Sequence, residues 1–484
     1  MLSKLRELIS PPPRPNDGYA PVSTGADAED DDAGLSASID QLLATDDKHS
    51  RTIYWAFAAL GAGVLLSWNA LICTYPFLTA LFPPGSTRNN LPSYIGTIYC
   101  SANLFFLGLA QRNVASSPPE PRLRWSLLLM LGTTLLLAFP ILPLVLPALS
   151  AANSLLLFPL ILVITLILSV ACSYLQSAVF ALSALWGSGE IFAVMSGQGA
   201  IAVIVSAVQF VLAVASSGRD TDGSHSTLAA VGLWGLGALG TLGCLYALRV
   251  LVLHPAYASV LAPLAHRRQE GTASGTKGNQ VMWRVFRKNT RIEFAVAFVF
   301  IVTLVRFGDH ANLTQLTPQA IFPPITTTIL SASDSPRALS PSVFISLHFL
   351  IFNLADYAGR TFIPSLPFAS NLATPTIVGL SVSRVIFFPL FLLCNTPGRA
   401  AAHKSVFPDS VYFIILFAFG LTNGAISTIC MITASSPQLN PAITDDEKDL
   451  AGTLAGFSLV SGLFIGSLCS FGVNYIINGN PFGG

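Results

Sequence analysis

The chain has 484 residues, of which 52% are hydrophobic and only 10% are charged, and its formal net charge is +1. A soluble globular domain has about 25% charged residues, and a nucleic-acid-binding protein carries a basic excess, so the composition excludes both classes. The mean hydropathy of +0.64 indicates a membrane protein.

Long apolar runs recur along the chain. A helix needs about 20 mostly apolar residues to cross a hydrocarbon layer about 30 Å thick. Eleven runs meet this criterion, at 52–82, 92–111, 123–149, 155–186, 189–217, 226–253, 292–330, 340–363, 372–396, 408–436 and 450–478. The predicted fold class is therefore an all-α polytopic membrane protein with eleven transmembrane helices.

The first fifty residues differ from the rest. They include PPPRPNDG and DAEDDDAG, which are too polar and too rich in proline to bury a core. A disordered tail is therefore predicted over residues 1–50. Basic residues collect in this tail and in the loop 254–291, which predicts that both are cytoplasmic.

The basic loop divides the apolar runs into six and five. This division predicts an N-terminal six-helix bundle at 51–253, a cytoplasmic linker at 254–291 and a C-terminal five-helix bundle at 292–478. In transporters built from two halves, the substrate site lies between the bundles near the middle of the bilayer.

Small residues are interpreted as packing elements. All seven cysteines lie within the apolar runs and none forms a CxxC pair, so no disulfide, metal or cofactor is predicted. Gly452 and Gly456, like Gly462 and Gly466, are spaced four apart in the last run, as in close helix–helix contacts.

The seventh run is interrupted by VRFGDHANLTQLTPQ, residues 305–319. The apolar stretch before it, from Phe294 to Leu304, reaches only about 16 Å, which is too short to cross. Joining Leu304 directly to Ala320 restores a spanning length. We hypothesise that 305–319 is a retained intron; the alternative is a real insertion that forms a loop.

The eighth run contains FNLADYAGR, which places an acid and a base four residues apart. Asp356 and Arg360 share a helix face, and Asn353 lies one turn earlier. A charge at the bilayer centre costs about 2.5–3.5 kcal/mol on insertion scales, so such residues face a bundle interior or a wet cavity. The pair either fixes helix packing or lines a cavity and binds a polar solute; the second reading is favoured.

Other polar side chains or glycines interrupt the runs at membrane depth. They are Trp68, Asn69, Gln176, Ser196, Gly197, Gln198, Gly199 and Asn423. Each alone is explained by an interhelical hydrogen bond. Together they predict a site for an uncharged solute that forms several hydrogen bonds, with aromatic rings for stacking.

Several segments resemble the equilibrative nucleoside transporters, in order along the chain from about 55 to 478. GAGVLLSWNALICTY resembles the first-span signature, MSGQGAIAVIVS a fifth-span segment, and FNLADYAGR the Phe-Asn-x-x-Asp-x-x-Gly-Arg signature of span eight. SRVIFFPLFLLCN, FGLTNGAISTICM and AGTLAGFSLVSGLFIGSLCS are similar to spans nine, ten and eleven. The family's proline before the tryptophan is Ser67 here.

The resemblance implies a major-facilitator-like fold with 6+5 helices, a cytoplasmic N-terminus and alternating-access transport of purine and pyrimidine nucleosides. Asp356 and Arg360 would then contact ribose and base, with Asn353 beside them. Gln176 would contact the nucleobase, and Trp68 with Asn69 would shape the outer side of the cavity.

The energetics of transport remain open between two readings. Arg360 is a resident counter-ion of Asp356, which makes that carboxylate a poor proton carrier, and Glu190 is the other acidic candidate. Passive uniport by a monomer is favoured; a proton-coupled carrier of nucleosides, nucleobases or sugars in an organelle is the alternative.

Three further expectations concern class and location. No HExxH or GxSxG string supports an enzyme, and a receptor or scaffold would not need the charged pair. The segment Asp40-Gln41-Leu42-Leu43 resembles a dileucine sorting signal. The expected location is therefore the plasma membrane or a vacuolar or lysosomal membrane.

Overall fold

A computed structural model describes residues 32–83, 86–114, 118–138, 154–216, 224–262, 264, 278–304, 341–369, 372–394 and 407–478. Within these ranges the chain is helical and contains no strand, which confirms the all-α fold class. The segment 305–319 lies outside the described residues, so the retained-intron hypothesis stays a prediction. The first part of the tail, residues 1–31, also lies outside them.

The helices of the N-terminal half follow the predicted runs. They are α1 Asp32–Cys73, α2 Tyr75–Ala80, α3 Ser86–Val114, α4 Pro119–Ala138, α5 Ser154–Trp186, α6 Ser188–Ser216 and α7 Ser224–Val252. Here α1 packs against α6 and α7, while α5 packs against α3 and α4. Aliphatic side chains on all sides of these helices suit burial against protein on one face and lipid on the other.

The C-terminal half contains α8 Gly278–Leu304, α9 Pro341–Phe362, α10 Thr374–Ser383, α11 Phe387–Leu392, α12 Asp409–Ser435 and α13 Lys448–Asn478. A 3-10 turn, Arg384–Ile386, separates α10 from α11. Pro389 has no N–H to donate to the carbonyl of Val385, so the proline explains why a continuous α-helix is interrupted there. In this half α9 packs against α12, and α8 against α10, α12 and α13.

Two predicted boundaries move. Residues 32–50 were expected in the disordered tail but form the start of α1; this stretch has no proline and spaces Leu35, Ile39 and Leu43 four apart, a helical pattern. Residues 278–291 were expected in the linker but begin α8, because Val285 is fully buried in a cluster with Leu450.

Membrane insertion follows from the exposed surface as well as from helix length. In the described part of the chain, seven candidate spans are long and apolar enough to cross a membrane: Ser50–Ala80, Leu156–Trp186, Ser188–Ala215, Ala230–Val252, Thr374–Phe391, Asp409–Ser435 and Asp445–Gly466. Large apolar side chains such as Trp125 (72%), Tyr246 (70%) and Leu239 (67%) are exposed, as lipid-facing residues are. The chain is an integral multi-pass membrane protein, and the count of eleven spans stays a prediction.

The two halves meet along α6–α9 and α5–α13. At the second contact, a Cβ on Gly456 would stand 2.8 Å from Phe180 Cδ2, and one on Gly452 would stand 2.8 Å from Ala184 Cβ. On Gly462 it would stand 2.2 Å from the carbonyl of Ala297 in α8. The packing interpretation of these three glycines is confirmed.

Candidate functional site

The charged residues of α9 form the centre of the site. Arg360 Nε donates to Asp356 Oδ2 at 2.6 Å, and the two side chains are 6% and 7% exposed. This is the ion pair that the four-residue spacing predicts. Asn353 lies one turn earlier and is half-buried, but among the described residues it makes no side-chain hydrogen bond to the pair.

A second helix supplies the other partner of the carboxylate. Asn423 Nδ2 of α12 donates to Asp356 Oδ1 at 2.6 Å. Glycines allow this approach: a Cβ on Gly424 would stand 1.9 Å from the Asp356 carbonyl oxygen, and one on Gly359 would stand 2.1 Å from that of Leu421. Because α9 and α12 touch through their backbones, the short amide of asparagine reaches the carboxylate.

Behind Asn423 lies a second guanidinium that the sequence analysis missed. Arg384 is 1% exposed, and its Nη1 donates to Asn423 Oδ1 at 2.8 Å. The Thr303 hydroxyl of α8 donates to the same oxygen at 2.8 Å. The available signal was an arginine inside the apolar run 372–396, comparable to the one that drew attention to Arg360.

The other half of the protein faces the pair through the MSGQG segment of α6. Arg360 Nη1 lies 3.4 Å from Gln198 Oε1 and 3.9 Å from Met195 Sδ. A Cβ on Gly199 would stand 3.0 Å from the Tyr357 ring and 3.1 Å from Arg360 Cδ. The pair therefore lies where the two halves touch.

The first-span residues Trp68 and Asn69 lie apart from the charged pair. Trp68 is 8% exposed and stacks on Tyr99 of α3, with ring centroids 4.2 Å apart and an interplanar angle of 29°. Asn69 Nδ2 donates within its own helix, to the carbonyl of Leu65 at 2.8 Å. Neither residue contacts Asp356 or Arg360 through a side-chain hydrogen bond in the described structure.

Gln176 lies at the other contact between the halves. Its Nε2 donates to the carbonyl of Gly456 in α13 at 3.5 Å, and the side chain is buried. Gln176 therefore does not contact the charged pair through this hydrogen bond. Both positions nevertheless lie on the interface between the N-terminal and C-terminal halves.

Little of the pair is accessible to solvent in this conformation. Asp356 and Arg360 are each 5% exposed. The cavity expected beside them stays a prediction.

A buried acid also escaped the sequence analysis. Glu293 of α8 is 2% exposed and accepts a hydrogen bond from Asn289 Nδ2 at 3.1 Å. Glu190, the acidic candidate named from the sequence, lies in the first turn of α6 and is 9% exposed. Glu293 therefore joins Glu190 as a candidate in any account of proton coupling.

Comparison with known proteins gives a consistent picture. The family model described as "Nucleoside transporter" matches residues 161–475. The nucleoside transporter FUN26 of Saccharomyces cerevisiae is 25% identical over 88% of this chain and 84% of its own length. Mouse equilibrative nucleoside transporter 1 is 27% identical over 61% of this chain and 65% of its own length.

Some of the similar proteins match this chain over only part of their length, and a solved structure matches it in fold alone. Rat equilibrative nucleoside transporter 2 is 29% identical, but the chain spans only 38% of it, so the match covers less than two thirds of both mammalian relatives. A bacterial homologue of the iron transporter ferroportin, in an outward-facing state, aligns with a TM-score of 0.51 at 13% identity, over 87% of this chain and 98% of that one. That likeness concerns the fold alone.

Proposed function

Because this chain belongs to the nucleoside transporter family, we propose that it carries purine and pyrimidine nucleosides across a membrane by alternating access. One observation carries the proposal. The Asp356–Arg360 pair is contacted by Asn423 from its own half and by Gln198 from the opposite half. A polar site at the boundary of two helical bundles is where such transporters bind their substrates.

The chemistry of the pair suits a nucleoside. An ionised carboxylate has about four lone-pair positions, and Asp356 uses two of them, for Arg360 and Asn423. The others can accept the vicinal hydroxyls of ribose. Arg360 donates from Nε to Asp356, and its Nη1 makes only long contacts, to Gln198 Oε1 and Met195 Sδ. The rest of its planar fork is available to a base carbonyl or ring nitrogen.

The remaining predicted contacts complete the proposed site. Gln176 would hydrogen-bond the nucleobase after releasing the Gly456 carbonyl, to which it makes a long bond of 3.5 Å. Trp68, backed by Tyr99, offers an aromatic surface for the outer side of the cavity, with Asn69 beside it. Asn353 is half-buried and lies one turn from the carboxylate.

The contacts also suggest which surfaces separate during transport. Two hydrogen bonds between the halves are long, namely 3.4 Å from Arg360 to Gln198 and 3.5 Å from Gln176 to Gly456, whereas Gln111 Nε2 of α3 donates to the Thr453 carbonyl of α13 at 2.8 Å. The bonds within the C-terminal half are short, such as 2.6 Å from Asn423 to Asp356. We therefore expect the halves to rock as rigid bodies, opening α6 from α9 while the Asp356 network stays intact.

The proposed transport is passive uniport, because the central carboxylate is already paired with Arg360. The proposed transporting unit is a monomer. The buried acid Glu293 favours a second candidate, a proton-coupled carrier of nucleosides, nucleobases or sugars. The N-terminus would face the cytoplasm, and the membrane would be the plasma membrane or a vacuolar or lysosomal one; a fluorescent fusion expressed in the native cell would distinguish these.

Uptake into proteoliposomes tests the function directly. Tritiated uridine and adenosine should equilibrate across the bilayer, and preloading with unlabelled nucleoside should accelerate entry. Free ribose should compete poorly. Entry no faster than in protein-free vesicles would overturn the proposal, and stronger competition by ribose than by nucleosides would favour a sugar carrier.

A further inference from the structure

Arg384 is the most deeply buried cation near the site. It begins the 3-10 turn between α10 and α11, and its guanidinium carbon lies 4.7 Å from the centre of the Phe419 ring. Its Nη1 donates to the carbonyl of Val299 at 3.1 Å, and its Nη2 to the carbonyl of Phe419 at 3.3 Å. These contacts alone would make it a brace that joins the turn to α8 and α12.

A brace does not need a charge. Replacing a buried ionic group by an apolar side chain of similar volume is often neutral or stabilising, because the charge no longer has to be desolvated. The guanidinium of Arg384 therefore calls for an explanation beyond packing. The explanation lies in its bond to Asn423.

The amide of Asn423 is oriented by the chemistry at its two ends. Arginine has only donors, so the amide oxygen must face Arg384, at 2.8 Å. The ion-paired carboxylate of Asp356 has only acceptors, so the amide nitrogen must face it, at 2.6 Å. Thr303 cannot impose this orientation, because a hydroxyl both donates and accepts. Without Arg384, the carboxylate alone would orient the amide and only the Thr303 hydroxyl would remain on the amide oxygen, so the bond that holds Asp356 would be less firmly fixed.

We propose that Arg384 is a positioning residue, which acts through Asn423 to fix the Asp356 carboxylate in the orientation that accepts the 2′- and 3′-hydroxyls of ribose. The inference rests on the proposed nucleoside transport and adds a specificity determinant to it. Arg384 itself touches no substrate. Its loss should weaken recognition of the sugar and leave recognition of the base unchanged.

Two variants and their combination test this relay. Arg384→Met removes the cation with a side chain of similar length, and Asn423→Leu removes the link. Each is compared with the unaltered protein in proteoliposomes, using uridine and 2′,3′-dideoxyuridine as substrates. The dideoxy compound keeps the base and lacks the hydroxyls, so its uptake also shows that each variant is folded and transports.

We expect R384M to raise the KM for uridine about tenfold, the scale of one hydrogen bond to a charged group. The KM for dideoxyuridine should change by less than about threefold on the same reasoning. N423L should change the two KM values in the same way as R384M. The double variant should lose no more discrimination than N423L, because residues in one relay are not additive.

Three results would overturn the inference. An equal rise in KM for both substrates, or a fall in maximal rate alone, would return Arg384 to the role of a brace. Additive losses in the double variant would show that Arg384 does not act through Asn423. If R384M does not fold, R384K replaces it. Because lysine can still donate to the Asn423 amide, R384K must retain the discrimination between uridine and dideoxyuridine that N423L loses. Absence of uptake of either nucleoside by the unaltered protein would instead refute the proposed function.

Discussion

Removing one or both members of the Asp356–Arg360 pair separates a binding role from a packing role. Their atoms are 2.6 Å apart and the side chains are 6% to 7% exposed. Arg360→Met leaves a buried carboxylate with the neutral amide of Asn423 as its remaining donor. Breaking a buried pair from one side costs about 3–5 kcal/mol, so this variant should melt at a clearly lower temperature.

Replacing both partners has the opposite effect on stability. The double variant D356L/R360M removes both charges of the pair and leaves Arg384 held by Asn423 and by the carbonyls of Val299 and Phe419. Replacing a buried ion pair by apolar side chains is neutral or stabilising by about 1–4 kcal/mol. We therefore expect the double variant to recover the melting temperature of the unaltered protein. If the pair binds nucleosides, uptake should stay at least about tenfold reduced, because the carboxylate and guanidinium contacts are both absent.

Two measurements on the same preparations decide the matter. Thermal unfolding is followed by the fraction of monodisperse protein in size-exclusion chromatography, and transport by the initial rate of uridine uptake per reconstituted molecule. Recovery of both stability and uptake in D356L/R360M would refute the binding role and leave the pair as a packing element.

Gly424→Ala should abolish uptake, because its Cβ would stand 1.9 Å from the α9 backbone, whereas Gly379→Ala, with no atom within 4 Å, is the matched control; equal uptake by both would contradict the close contact. Passive transport predicts that an imposed pH gradient leaves uridine accumulation unchanged, and that Glu190→Gln and Glu293→Gln keep this behaviour. Accumulation driven by acid outside and lost only in Glu293→Gln would instead establish proton coupling. A protein lacking 305–319 should match the full chain in uptake if these residues are a retained intron, and sequenced transcripts should lack them; loss of uptake would favour a real insertion.

Several features could be read from the sequence because they depend on one helix at a time. Apolar runs predicted the positions of the helices, and a four-residue spacing predicted that Asp356 and Arg360 meet. Boundaries were less certain where polar sequence continues a helix. The start of α1 at Asp32 agrees with a helical spacing in sequence that composition alone assigned to a tail. The start of α8 at Gly278 agrees with the burial of Val285, which composition alone assigned to a linker.

Contacts between helices required the tertiary structure. The partners of the pair come from α6 and α12, and hydrogen bonds join Arg384 to Asp356 through Asn423. Helix periodicity fixes which side chains share a face, but it contains no information on which glycines let two backbones touch. A charged helical face inside a membrane bundle follows from the residue pattern alone. The side chains that this face contacts were set by the packing of α9 against α6 and against α12, the latter at a separation that a single methyl group would prevent.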